Sequence, residues 1–154
     1  MTVEIGKSAP KFAMPADGGG QVSLAALKGK RVVLYFYPRD DTPGCTTEAC
    51  GFRDNLPDFS KLRAAVIGVS RDSVAAHDKF KAKYKLPFAL ASDADGKTSA
   101  AYGTWVEKSL YGRKYMGLER STFLIDEKGI VRGIWRKVKV KGHVEEVLET
   151  VKTL

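Results

Sequence analysis

Residues 31–38, RVVLYFYP, are almost continuously apolar and aromatic, the pattern of a central strand buried on both faces. Pro38 closes the run, because proline offers no donor to a ladder. AAVIGVS at 64–70 repeats the pattern and predicts a second buried strand. PFALASD at 87–93 predicts a third, short one, which Pro87 helps to begin. Between them, Val74, His77, Phe80 and Tyr84 fall at helical spacing within 73–85, with Ser73 or Asp72 as cap. After Pro38, TPGCTTEACGFRDNL reads as a helix, capped by Thr42 and with Pro43 in its first turn. DGKTSAAYG at 95–103 predicts a short helix ended by Gly103. The stretch 104–119 is polar and glycine-bearing and predicts a loop. Its Trp105, Tyr111, Tyr115 and Met116 are candidates either to line a pocket or simply to pack. STFLID at 121–126 and IVRGIWR at 130–136 flank EKG as a hairpin. The closing segment is an amphipathic helix with Val144, Val147, Leu148 and Val151 on one side. Near the start, Gly18–Gly20 between Phe12 and Val22 predicts a hairpin turn.

Strands alternating with helices early, and a hairpin late, imply an α/β fold: a mixed central sheet flanked by helices, with an N-terminal hairpin. With 154 residues and no linker or repeat, 1–154 is expected to form one domain. No apolar run approaches a membrane span, and MTVEIGKSAPKF is not built like a secretory signal; the expectation is a cytoplasmic protein without membrane attachment. The net charge of +8 is concentrated partly in RGIWRKVKVKGH. Arg136, Val138 and Val140 alternate there with Lys137, Lys139 and Lys141, which reads as a solvated basic face; no nucleic-acid motif accompanies the charge, so nucleic acid is not the expected partner.

Candidate chemistry lies in the two cysteines, too few for a disulfide framework. His77 and His143 lie far from them in sequence, and no metal site is expected. Cys45 falls at the start of the helix predicted after the first core strand. Free N–H groups and the positive end of the helix dipole favour a thiolate there, the nucleophilic form. Gly44 lets backbone approach a small ligand, and the N–H groups of Gly44 and Cys45 are candidates to bind its oxygen. Cys50 follows five positions later. In an intact helix the two Cα atoms would be roughly 8–9 Å apart, beyond disulfide reach. Either the pair never bonds, with Cys50 a small core residue, or the turn between them opens.

Residues 38–50, PRDDTPGCTTEAC, resemble the active-site motif of the peroxiredoxins, and among them most closely the bacterioferritin-comigratory, or Q-type, branch. The motif of proline, three residues, threonine, two residues, cysteine is met by Pro38, Thr42 and Cys45. ERSTFLID at 119–126 resembles the family's second element and makes Arg120 the matching arginine. The resemblance implies a thioredoxin-like fold and a thiol peroxidase without metal, haem or flavin. Cys45 would be the peroxidatic thiol, oxidised to a sulfenic acid, and Arg120 would favour its thiolate and orient the peroxide. Thr42 would offer its hydroxyl to thiolate or peroxide, or serve as a plain helix cap. Pro38 would shield the thiolate. Glu48 would hold the arginine, or merely sit as a first-turn carboxylate favoured by the helix dipole.

The resemblance also implies that Cys50 resolves the sulfenic acid as an intramolecular disulfide, which thioredoxin or a similar dithiol protein would reduce. Hydrogen peroxide and organic hydroperoxides would be the substrates. The chain would act as a monomer, with a dimer as the alternative. Two other classes compete: a general disulfide oxidoreductase, although that type separates its cysteines by two residues rather than four, and a redox-switched binding module using the basic C-terminal face.

Overall fold

The structure, a computed structural model, describes residues 3–154. A short hairpin opens the chain, β1 (Ala13–Pro15) against β2 (Gln21–Ser23). Then come β3 (Arg31–Phe36), α1 (Pro43–Lys61), β4 (Ala64–Ser70), α2 (Val74–Tyr84), β5 (Ala89–Ser92) and α3 (Lys97–Ala101). A hairpin of β6 (Trp105–Leu110) and β7 (Arg113–Leu118) follows, then β8 (Ser121–Ile125), β9 (Val131–Trp135) and α4 (His143–Lys152).

The central sheet has the order β5-β4-β3-β8-β9. β3, β4 and β5 run parallel, as helical crossovers require, whereas β8 and β9 are antiparallel additions. The mixed sheet and N-terminal hairpin agree with the thioredoxin-like expectation. β3 explains its apolar sequence by alternation: Val33, Tyr35 and Tyr37 enter one hydrophobic layer, and Val32, Leu34 and Phe36 enter the other. The first layer receives Phe52 and Phe59 from α1 and Val144, Val147, Leu148 and Val151 from α4. The second is closed by Phe12, Met14 and Tyr102. Two glycines permit close approach in the first layer. A Cβ on Gly68 would stand 2.8 Å from the Tyr35 hydroxyl, and one on Gly51 would stand 3.0 Å from Val144 Cγ2.

The stretch 104–119 is a correction, being a two-stranded ribbon rather than a loop. Leu110 pairs with Arg113, and the two turn residues, Tyr111 and Gly112, both have positive φ, at 51° and 77°. That is the backbone of a type I′ turn, normally announced by Asn-Gly or Asp-Gly rather than Tyr-Gly. Most of β6 and β7 is half-buried or exposed, so no apolar face marks the strands. Tyr111 is 97% exposed at the tip, while Trp105 lies half-buried beneath the Arg71 guanidinium, 4.3 Å from its ring centroid. The first helix also runs further than the pattern suggested, through Pro57 to Lys61, because buried Phe59 keeps its last turns on the core. Beyond β9 the basic segment is irregular: Lys137, Lys139 and Lys141 are exposed and Val138 and Val140 half-buried, but Arg136 does not join the valines. It is exposed and donates to the carbonyls of Tyr102 and Gly103. Among the described residues, no helix is long and apolar enough to cross a membrane.

Candidate active site

The sheet register assembles the site. Phe36, the last residue of β3, pairs with Ser121, the first of β8. Arg120 therefore stands at the same end of the sheet from which the chain leaves β3 to enter α1. Its strand-side backbone is fixed by Val138 N–H, which donates to the Arg120 carbonyl at 3.0 Å.

α1 begins at Pro43, and its first ladder bond runs from Thr46 N–H to the Thr42 carbonyl at 2.8 Å. The N–H groups of Gly44 and Cys45 lie ahead of that ladder, as the first donors of a helix do. Cys45 is buried, at 1% exposure, and Cys50 is half-buried; both thiols are free and share one unbroken helix. This is the folded turn in which ideal geometry keeps the two sulfurs from bonding.

Arg120 bridges the thiol and a buried acid. Nη2 donates to Cys45 Sγ at 3.4 Å, and Nη1 donates to Glu48 Oε1 at 2.7 Å. Gly44 is the floor under this fork, since a Cβ there would come within 3.1 Å of Arg120 Nη2. Glu48 is fully buried and its Oε2 has no hydrogen-bond partner among the described residues. Burial pushes its pKa up to about 7, against the opposing pull of the Arg120 charge and hydrogen bond. The arginine in turn remains a cation: burial disfavours its charge, but Glu48 and Cys45 more than offset that.

The alternative readings of Glu48 and Thr42 as helix-end groups need correction. Glu48 is no first-turn carboxylate; it lies one turn deeper, with no acid in the first turn of α1. Thr42 occupies the N-cap position, with φ −90° and ψ 156°, but its hydroxyl makes no capping bond. That hydroxyl donates to the Arg39 carbonyl at 3.0 Å, so it must rotate before it can donate to a thiolate or peroxide. Pro38 is exposed just beyond β3.

Three groups around the site were not legible as such in the sequence. Lys108, on β6, is half-buried, and burial together with the Arg120 charge lowers its pKa, with Glu119 and Cys45 opposing. It brings a second cation into the field of the thiol from the ribbon read as a loop. His143, at the start of α4, is buried edge-on to Trp135 and lies 2.8 Å from the Thr122 hydroxyl. Burial pushes its pKa down to about 4, helped by the Arg120 charge, so it stays neutral and does not compete with the arginine. Tyr35 stacks on Phe52 with centroids 4.6 Å apart, and its hydroxyl is buried without a partner among the described residues. Burial first, then the negative charges of Glu48 and Cys45, raise its pKa well above the usual phenol range, so it is a neutral wall.

The AhpC/TSA family matches residues 5–134. A putative peroxiredoxin Bcp of Coxiella burnetii is 56% identical over 148 residues, covering 96% of this chain and 98% of the relative. Peroxiredoxin Bcp of Bacillus subtilis is 53% identical over 154 residues, covering 100% and 98%. A solved structure of the bacterioferritin comigratory protein of Xanthomonas campestris, studied for alkyl peroxide reduction, superposes with a TM-score of 0.89. It is 46% identical, covering 92% of this chain and 90% of that one. A mutant of Xylella fastidiosa peroxiredoxin Q gives 0.93 at 41% identity, covering 98% and 96%. With its thiol, arginine and buried acid gathered at one end of a thioredoxin-like sheet, the chain belongs to the AhpC/TSA family of peroxiredoxins, on the Bcp or peroxiredoxin Q branch.

Proposed function

We propose that Cys45 is the peroxidatic thiol of this enzyme and that Cys50 resolves it. As a Bcp-type peroxiredoxin the chain is a thiol-dependent peroxidase, with a peroxide as substrate and a thioredoxin-type dithiol as reductant. The observation that carries the residue assignment is the Arg120 fork, held by Glu48 at 2.7 Å and aimed at Cys45 Sγ at 3.4 Å. A cation so fixed stabilises negative charge on sulfur and can hold a peroxide oxygen beside it.

The Cys45 thiolate attacks the outer oxygen of the hydroperoxide. The S–O bond forms as the O–O bond breaks, and the alkoxide or hydroxide leaves and takes up the proton that Cys45 released on ionising, giving alcohol or water. The N–H groups of Gly44 and Cys45, with Arg120 and a rotated Thr42 hydroxyl, receive the developing charge, and Pro38 walls the site from water. Cys50, as thiolate, then attacks the sulfenic sulfur. The S–S bond forms, hydroxide leaves and takes up the proton that Cys50 released, and the disulfide is returned to two thiols by the external dithiol. No cofactor takes part in these steps. Hydrogen peroxide and organic hydroperoxides both serve as substrates in this reading; the alkyl peroxide work on the Xanthomonas relative supports the latter. The chain 1–154 acts as one domain and as a monomer, in the cytoplasm, without nucleic-acid partners.

The test is Cys45→Ser assayed for peroxide consumption with a dithiol donor. Activity should fall to background while the fold is retained; full activity in the variant would overturn the assignment.

A further inference from the structure

One buried histidine takes no part in the thiol chemistry. His77, on α2, has no exposed surface. Its Nε2 is 2.9 Å from the Ala91 carbonyl oxygen, and its Nδ1 is 2.6 Å from Asp40 Oδ2. A carbonyl oxygen only accepts, so Nε2 carries a hydrogen. An ionised carboxylate only accepts, so Nδ1 carries one as well. With both nitrogens protonated, the ring is an imidazolium paired with Asp40. Asp72 converges on the same place, but the separation of 2.6 Å leaves no gap for a metal ion between ring and carboxylate.

Asp40 is the fastening point of the loop that joins β3 to α1. Its Oδ1 accepts from the Tyr37 hydroxyl at 2.5 Å, and its backbone N–H donates to Asp72 Oδ2 at 2.8 Å. Asp41, in the left-handed region at φ 58°, accepts from Lys83 Nζ and the Tyr84 hydroxyl, each at 2.8 Å. The loop is thus bolted to α2 at two successive residues, and Cys45 follows four residues later. A thiol that must sit within reach of Arg120 depends on where this loop delivers the first turn of α1.

We propose that His77 is a positioning residue of the peroxidase: as an imidazolium it holds Asp40, and through the loop it sets Cys45 against Arg120. Loss of one ring proton leaves a single N–H that cannot serve both Asp40 and the Ala91 carbonyl, which loosens this corner of the loop and slows the attack on peroxide. The inference rests on Cys45 being the attacking thiol. The groups that face the ring are Asp40, with Tyr37 behind it, from β3 and its loop, Asp72 from beyond β4, and the Ala91 carbonyl from β5. Arg39, Lys79 and Lys83 border the adjoining cleft. Burial disfavours the charged ring, but Asp40, Ala91 and Asp72 outweigh it and hold its pKa above the ordinary value of 6.5. The charged pair is therefore favoured below 6.5 and is lost as pH rises through that elevated value.

Nitrogen NMR of the reduced protein across pH should show both His77 ring nitrogens still protonated beyond the ordinary midpoint of 6.5. A ring already neutral at pH 6.5, on either tautomer, would overturn the proposal. Stopped-flow oxidation across pH supplies the second arm. The wild-type rate, corrected for thiolate content, should fall roughly tenfold along the NMR titration of His77, the scale of one charge-assisted hydrogen bond. Asp40→Asn keeps the geometry, since its amide can donate to a neutral Nδ1 and accept from Tyr37. It should fold, react at the slower rate throughout and lack the alkaline fall, as should His77→Asn. An unchanged pH profile in Asp40→Asn would refute the link to Cys45. The NMR arm reports on the ring whatever the thiol does, and Cys45→Ser reports on the thiol alone, so the two failures are distinguishable.

Discussion

Glu48→Gln separates what the buried acid does for the reaction from what it does to the fold. The carboxyl is wholly buried, one oxygen is held by Arg120 and the other has no partner among the described residues. Its pKa of about 7, against an ordinary 4.5, means that the folded protein favours the protonated acid. The sign follows from linkage. A raised folded-state pKa gives a stability contribution that is complete below about 4.5, declines as pH rises and is lost above about 7. A shift of this size corresponds to roughly 3 kcal/mol. Glutamine mimics the neutral acid, so the variant and the wild type should have similar stability at pH 4. At pH 8 the variant should be more stable by up to about 3 kcal/mol, or roughly 6–12 °C in Tm for a chain of this size. Thermal unfolding of the reduced proteins across that range, followed by circular dichroism, reads the difference. At pH 8, where the wild-type acid is ionised, the oxidation rate should meanwhile fall roughly tenfold, because the guanidinium loses the opposing charge that fixes it. A pH-independent stability difference, or a wild type more stable than the variant at pH 8, would refute the reasoning.

Two further substitutions probe the same turn. Gly44→Ala puts a methyl about 3.1 Å from Arg120 Nη2 and must displace the fork; stability should hold or rise by up to about 1 kcal/mol while oxidation slows about tenfold, measured by denaturant midpoint and stopped-flow fluorescence. Cys50→Ser should leave the first oxidation rate within about twofold, since the half-buried thiol lies more than a turn from Cys45, and should let a sulfenic acid persist. Mass spectrometry with a sulfenic-acid trap reads this; an intramolecular disulfide after one equivalent of peroxide is the expected wild-type product.

The sheet was legible because β3, β4 and β8 are apolar enough to announce themselves, and α4 because its valines keep helical spacing. The ribbon of β6 and β7 was not, because a solvent-exposed pair lacks a buried face and its turn uses Tyr111 where asparagine or aspartate would have signalled it. The proposed site divides in the same way. Cys45 stood out through its place at a helix start, and Arg120 and Glu48 only through resemblance to a family motif. That Arg120 meets Glu48 depends on the pairing of Phe36 with Ser121, a long-range register that local pattern does not encode. His77 was read only as one of the positions at helical spacing in α2; its partner Asp40, far away in the chain, is what raises its pKa. The Thr42 hydroxyl was misread as a cap because the cap rule describes the position, while the hydroxyl found the Arg39 carbonyl instead.

The buried acid also bears on how the cysteines can meet. Cys45, Glu48 and Ala49 are all buried in the turn that must open before Cys45 and Cys50 can bond. The frame around that turn is fixed. Asp40 and Asp41 tie its entrance to α2, Arg53 donates to the Tyr84 carbonyl at 2.7 Å beyond its exit, and Gly51 is packed against Val144. Opening is thereby directed to the segment 43–50. Once open, Glu48 reaches water and recovers an ordinary pKa, so the ionised acid favours the open turn by the same roughly 3 kcal/mol that it withholds from the fold. The Glu48–Arg120 pair is then a clamp under load: it fixes the guanidinium for attack on peroxide while making the turn easier to release afterwards. Disulfide formation in the wild type should accordingly accelerate as pH rises through about 7, beyond what ionisation of Cys50 accounts for. In Glu48→Gln that acceleration should vanish and the disulfide should form more slowly at pH 8, as read by rapid quench and mass spectrometry. An equally fast disulfide step in the variant would show that the buried charge does not help to open the turn.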